Sequence, residues 1–459
     1  MAPGCVHEEI QQPARKRSRR RVLAGVVRSG VLLAASCRRP AREELRPTAE
    51  SLSGHVSMYF WDTDPLASLR VRAMEPFTRK FPRASLEVVN VPNAAGYFGV
   101  YLDKITSMLA AGSGPDVFII PDFDLLSYWD RDLLLDIEPF VRRDKYDLSD
   151  FPPGAIASYR RQGTGLYGLP DNITTYALFY NLDLLERFGV PPLPSDAADR
   201  TWTWEAMRDR GLRLTRRELE PSVIGLQPGY GINEVTAYVR SAGGDFLSKD
   251  GSEVVLHEAP ALEAFQYLAD LRNTHRVVPL PEDLRGIGVA ELFLQGRLAI
   301  WETGAWQIAR FRQQAQFRWD VGFRPYGRAG RTDHLFAYPL VIWSGTRVRD
   351  LAWEALKFFE DEALPVIVQE GGLQGTKMNA HQRKYFVDPS KPPRNAEVFV
   401  TSVERFGRTP PMIRNFPEVQ RAWQEEIAPI WSGQRSAREG VLAFKRRVDP
   451  LLKPSSPGR

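Results

Sequence analysis

Cysteine is almost missing from this chain: Cys5 and Cys37 are the only two in 459 residues. Both precede the first segment with apolar periodicity, so the folded part has no thiol, and with it no disulfide, thiolate metal site or cysteine nucleophile. Histidine is scarce too, six residues without metal-ligand spacing, and core or solvated roles are expected for all of them. There is no Gly-x-Ser-x-Gly elbow and no His-Glu-x-x-His zinc motif. Gly371 to Lys377 has the wrong glycine spacing for a phosphate loop, and Gly286-Ile287-Gly288 lacks the third glycine of a dinucleotide fingerprint. No stretch after the leader reaches the roughly 18 apolar residues of a membrane-spanning helix. No cofactor and no metal is therefore expected.

The chain carries a formal net charge of +5, but the excess is local. Seven of the 61 basic residues and two of the 56 acidic ones lie before Cys37, which leaves the remainder balanced at 54 each. A neutral body gives no support for a nucleic-acid partner. The basic run, the mostly apolar Val22 to Ala35 and the small residues Ala34-Ala35-Ser36 before Cys37 resemble a bacterial lipoprotein signal. Arg28 interrupts the apolar part, and Ala34 stands where a larger aliphatic residue is usual. Ser18-Arg19-Arg20-Arg21-Val22-Leu23 also resembles a twin-arginine export motif. The expectation is export, with residues 1–36 removed, Cys37 lipidated, and a tether over 37–54. A disordered basic tail on a cytoplasmic protein is the alternative.

What remains is long enough for two lobes. A buried strand is expected over Val56 to Trp61, followed by a turn at Asp62-Thr63-Asp64-Pro65 in which Asp64 caps a helix. Leu66, Leu69, Ala73, Phe77 and Phe81 keep one helical face apolar, with Pro76 set to kink or end it. A second strand around Leu86 to Val91, a helix from Phe98 to Leu109 and a doubly buried strand at Val117 to Ile120 complete a β-α-β-α-β order. That order predicts a mostly parallel sheet with right-handed crossovers. Ligands of such sheets bind beyond the carboxyl ends of the strands, here Trp61 to Asp64 and Pro121 to Asp124. Tyr167 to Asn181 then runs from a Gly-Leu-Pro turn through Asp171 and Asn172 into a β-branched and aromatic strand, which we expect to cross between lobes. Further on, Thr203 caps a helix, Gln227 to Gly231 is a loop before another, and Leu298 to Glu302 is a strand leading to the turn Thr303 to Trp306. Tyr338 to Ser344 is extended, and helices are expected over Leu351 to Glu360, Pro417 to Ile430 and Ala437 to Leu452.

Paired carboxylates at Asp62 and Asp64 and at Asp122 and Asp124 admit two readings. A glycoside hydrolase needs two carboxyls roughly 5 to 10 Å apart across the scissile bond. Sugar binding without chemistry uses the same parts, carboxylates and amides for hydroxyls and aromatic faces for the ring. Eleven tryptophans supply such faces, although most are expected in the core.

Met108 to Phe118, Phe179-Tyr180-Asn181, Trp202-Thr203-Trp204 and Phe293 to Ile300 leading to Gly304-Ala305-Trp306 together resemble the carbohydrate-binding extracellular solute-binding proteins of bacterial ABC importers. The resemblance covers nearly all of the chain after the tether. It implies an α/β, two-lobe periplasmic-binding-protein-like (type II) fold with a ligand cleft between lobes joined by crossing strands. The implied first lobe is 55–173 with a return over 341–385. The second lobe is 174–340, with C-terminal helices of 386–459 packing mainly on it. The implied partners are a sugar or oligosaccharide and permease subunits, for a monomer that meets the membrane only through its anchor. Carried over by position, the resemblance marks Asp62, Asp64, Asp122, Asp124, Asn172, Tyr176, Tyr230, Trp306, Tyr338 and Arg414 as ligand-binding. Each also has an ordinary turn, cap or core role open to it. For Trp306 the Gly-Ala turn before it favours ligand contact. Arg297, Arg328, Arg331 and Arg414 leave room for an acidic or phosphorylated ligand, and a sensor without a transporter partner remains a third alternative.

Overall fold

The computed structural model describes residues 46–92, 99–161, 165–411, 413 and 415–452. The leader, Cys37 and Arg414 lie outside the described residues.

Strands β1 (Gly54–Phe60), β2 (Ala84–Asn90), β3 (Val117–Ile119) and β4 (Leu169–Thr174) belong to one sheet. Strands β5 (Tyr176–Asn181), β6 (Ile224–Gln227), β7 (Leu298–Gly304) and β8 (Trp319–Gly322) form the second. After the short β9 (Asp333–His334), β10 (Phe336–Ile342) returns to the first sheet, whose order is β2-β1-β3-β10-β4. β1 pairs in parallel with β2 and β3, while β10 runs antiparallel to β3 and β4. The second sheet has the order β6-β7-β5-β8, with β5 antiparallel to both neighbours. The crossing is therefore a single residue: Thr175, fully buried, separates a strand of one lobe from a strand of the other.

β5 is buried on both faces, and its side chains alternate between two packing layers. On one face Phe179 packs against Phe311, Trp319 and Phe399, and on the other Leu178 and Tyr180 join the core that holds Trp202, Met207 and Leu226. The aromatic and aliphatic run of this strand thus fills two layers at once.

Local signals explain most element ends. Thr203 caps the helix Trp204–Leu214, its hydroxyl accepting the N–H of Ala206 at 3.3 Å. Pro76 ends one helix and starts the next, Leu66–Met74 giving way to Pro76–Lys80, because a proline suits a first turn and not an interior. Two boundaries differ from the expectation. Leu52, within the expected tether, is buried in the first core, and Gly54 already belongs to β1. The return strand starts at Phe336, ahead of Val341. Pro339 sits inside it, and the ladder to β4 slips between Ala337 and Pro339, which breaks the alternation that a sequence pattern would show.

Among the described residues no helix is long and apolar enough to cross a membrane, and no group of three or more His, Cys, Asp or Glu is placed to hold a metal ion.

Candidate functional site

A cavity of about 590 Å³ lies between the lobes. The first lobe supplies the loop after β1 (Trp61 to Leu66), Phe123 after β3, Asn172 on β4 and Phe336 and Tyr338 on β10. The second lobe supplies Tyr176 on β5, the start of the helix Ile232–Ala242, the turn holding Trp306, and one side of the helices from Phe416 onward.

Six of the residues expected at the site line this cavity: Asp62, Asp64, Asn172, Tyr176, Trp306 and Tyr338. Asp62 is held from behind by the buried Arg70, whose Nε donates to its carboxylate at 2.6 Å. The same guanidinium donates to both oxygens of Asp171, at 2.6 and 3.3 Å. Asp64 accepts the N–H of Ser68 at 3.1 Å and its hydroxyl, and these bonds hold its carboxyl below the usual range. Asn172 lines the cavity, and its amide oxygen is buried without a protein partner. Trp306 ends a tight turn after β7, with its ring over Gly304; a Cβ added there would lie 1.9 Å from the indole. The indole stands at 37% exposure. Tyr176 and Phe336 meet it edge-on, with centroids 5.8 and 5.7 Å away and interplanar angles of 76° and 89°. These edge contacts leave the indole's orientation fixed in the cavity wall.

Three expected residues lie off the wall. Tyr230 packs on Trp431 with ring centroids 5.0 Å apart, and its hydroxyl donates to the Leu268 carbonyl at 3.3 Å. The residues that follow it, Gly231 to Glu234, line the cavity instead. Asp122 and Asp124 are folded back by a 3₁₀ turn, Asp124 accepting the Ser127 hydroxyl at 2.7 Å, and only Phe123 between them reaches the cavity. Asp122 accepts the Phe123 N–H at 2.9 Å, and burial pushes its carboxyl up to about 7 against the pull of the Phe123 and Ala337 N–H groups. An unfolded Asp titrates near 3.9, so between about pH 8 and 6.5 the folded state takes up a proton that the unfolded state does not. Stability should rise on acidification through this window by on the order of 1 kcal/mol from this residue. Burial lowers the His334 imidazole to about 3, so its contribution is lost only below its unfolded value, about 6.5. Thermal melts at the two pH values test this, and Asp122→Asn should shrink the difference.

Of the four arginines that left room for an anionic ligand, the three among the described residues are engaged elsewhere. Arg297 donates to the Ser222 carbonyl and hydroxyl, Arg328 to the Ala242 carbonyl, and Arg331 to the carbonyls of Arg324 and Ala197. Glu234, Arg310, Gln420 and Gln424, all on helices facing the cavity, are functional candidates that no motif in the sequence marks by type and position. Gln420 and Gln424, four apart beside Phe416 and Trp423, are a polar break in an apolar face that could have marked the last two.

Two α/β lobes joined by crossing strands, with aromatic rings and fixed hydrogen-bond acceptors facing a cavity between them, define a protein that holds a ligand in an interlobe cleft. The chain belongs to the bacterial extracellular solute-binding protein family, whose family model matches residues 63–363. It is 24% identical over 237 residues to the arabinooligosaccharide-binding protein of Bacillus subtilis, a match spanning 50% of each chain. It is 23% identical to the sn-glycerol-3-phosphate-binding periplasmic protein UgpB of Escherichia coli, over 67% of this chain and 72% of that one. The solved ABC substrate-binding protein Lmo0181 of Listeria monocytogenes, in complex with cycloalternan, superposes with a TM-score of 0.78 at 21% identity. That superposition covers 87% of this chain and 98% of the other and establishes the two-lobe type II fold. None of these matches supports the exported hydrolase reading.

Proposed function

We propose that this protein binds a sugar or oligosaccharide outside the cytoplasmic membrane and hands it, unchanged, to the permease of an ABC importer. The observation that carries the reading is Trp306, a half-open indole locked by two perpendicular rings on the wall of an interlobe cavity, beside carboxylate and amide acceptors. An aromatic face for the apolar side of a pyranose and acceptors for its hydroxyls are the parts that sugar binding needs. The family and the arabinooligosaccharide-binding relative support the same reading. Site roles for Asp62, Asp64, Asn172, Tyr176 and Tyr338 belong to the proposal, as do the lobe boundaries. So do the monomeric state and lipid attachment at Cys37, which fractionation of the full chain into membrane and soluble pools would test.

Calorimetry against a panel of sugars should give saturable binding, with the sugar recovered intact. Trp306→Ala should weaken that binding by about 1–3 kcal/mol through loss of a stacking face. Turnover of the sugar would sink the reading, and unchanged affinity in the variant would remove Trp306 from the site.

A further inference from the structure

The second lobe has a counterpart to Asp62. Glu234 lies in the first turn of the helix Ile232–Ala242 and lines the cavity. Its side chain folds back over two glycines: a Cβ on Gly229 would come within 2.1 Å of its Cγ, and one on Gly231 within 2.5 Å of its Oε2. The Tyr176 hydroxyl donates to the carboxyl, and burial raises both groups from their ordinary values.

The backbone around Glu234 is pinned by a buried ion pair. Arg324 donates to the Glu234 carbonyl at 3.2 Å and pairs with Glu302 at 2.9 Å. Glu302 accepts the Gly229 N–H at 3.3 Å and the Tyr238 hydroxyl at 2.8 Å. The loop and the first helical turn are thus tied to one buried charge pair. In the first lobe the same job falls to Arg70, which holds Asp62 and is itself fixed by Asp171. Each lobe therefore offers the cavity a carboxylate on a segment anchored by a buried arginine, Arg70 through the Asp62 carboxylate itself and Arg324 through the Glu234 main-chain carbonyl.

Among the described residues lining the cavity Arg310 is the one cation, and its guanidinium donates to Glu291 at 2.6 Å and to Gln314 at 3.1 Å. The other charged groups on the described wall are carboxylates, Asp62, Asp64 and Glu234, set among neutral amides and hydroxyls. A ligand satisfies acceptors by bringing O–H donors, and an anionic group brings none while meeting like charge.

We propose that Glu234 is a ligand-contacting residue that sets specificity, its carboxylate and that of Asp62 accepting hydroxyls of an uncharged sugar from opposite lobes and discriminating against phosphorylated or acidic ones. The proposal rests on the sugar-binding reading and narrows it. The test is calorimetry on the intact exported protein with a panel of neutral sugars and oligosaccharides and with the matching sugar phosphates. Wild type should bind a neutral sugar and bind its phosphate at least about tenfold more weakly, and Glu234→Gln should lose about tenfold or more of the neutral affinity. Tyr176→Phe, which keeps the carboxylate, should lose less. Wild-type affinity in Glu234→Gln, or a wild type that prefers the phosphate, overturns the proposal while leaving sugar binding standing. Should Glu234→Gln fail to fold, the neutral-against-phosphate comparison in wild type still decides. A wild type that binds none of the sugars fails the underlying reading instead.

Discussion

Replacing Arg324 with methionine should lower stability by about 3–5 kcal/mol, the cost of removing one partner from a buried ion pair. Arg324 is 2% exposed, lies 2.9 Å from Glu302 and 3.6 Å from Asp333, and sits over the Tyr238 ring at 4.4 Å. Methionine can fill the volume and keep contact with the ring, so most of the loss should come from two carboxylates left buried without a cation. Burial holds Asp333 up at about 6 although the arginine opposes it, and the second carboxylate, Glu302, adds to the rise. Urea unfolding should therefore show a lower midpoint with an unchanged slope. Arg324→Lys should fall between, since an ammonium keeps the charge but cannot span Glu302, the Thr332 carbonyl and the Glu234 carbonyl together. Ligand affinity should drop along with stability, because Gly229 and Glu234 hang on this pair. A loss under about 1 kcal/mol would mean that water or a side-chain shift rescues the two carboxylates, and that the pair does not position the cleft.

Much of this architecture is legible in the chain because it is written in local chemistry. Thr203 caps its helix, Pro76 starts one, and the Val117 to Ile120 run is buried as a strand covered on both faces must be. Asp62, Asp64, Asn172, Tyr176, Trp306 and Tyr338 reach the cavity wall because each sits on or just after a strand at the lobe junction, where position in sequence nearly dictates position in space. Tyr230 shows where that reasoning stops. A loop aromatic before a helix can turn toward the cleft or into the core, and the choice depends on Trp431, some two hundred positions away. Glu234 depends on how its helix is seated in the second lobe, which no local pattern records, whereas Gln420 and Gln424 interrupt an apolar face and are locally visible. Asp122 and Asp124 look like strand-end ligands, yet a short 3₁₀ turn sends their carboxyls inward and Phe123 outward, stacked on Phe416 with centroids 3.7 Å apart.

Arg70 poses the same question in the first lobe with a sharper control. Its guanidinium lies 2.6 Å from Asp62 and 2.6 Å from Asp171 and is sandwiched against Phe60 and Phe359 at 4.1 and 5.3 Å. Arg70→Met should cost about 3–5 kcal/mol. Asp171, 1% exposed, bears the larger share, whereas Asp62 borders the cavity and can still reach water. Adding Asp171→Asn should therefore return on the order of 1–3 kcal/mol, so the double variant is more stable than Arg70→Met alone. Burial already pushes the Asp171 carboxyl upward against Arg70, and removing the arginine pushes it further. A carboxyl whose folded pKa exceeds its unfolded one takes up a proton on folding, so the deficit of Arg70→Met should shrink as pH falls from about 8 to 5. The deficit of the double variant should stay nearly constant over that range. Equal stability of the single and double variants would move the cost from Asp171 to lost packing against Phe60 and Phe359. Asp62 would then owe its place at the cleft to the fold of the loop after β1 rather than to a shared arginine, and its affinity for the ligand should survive the loss of Arg70.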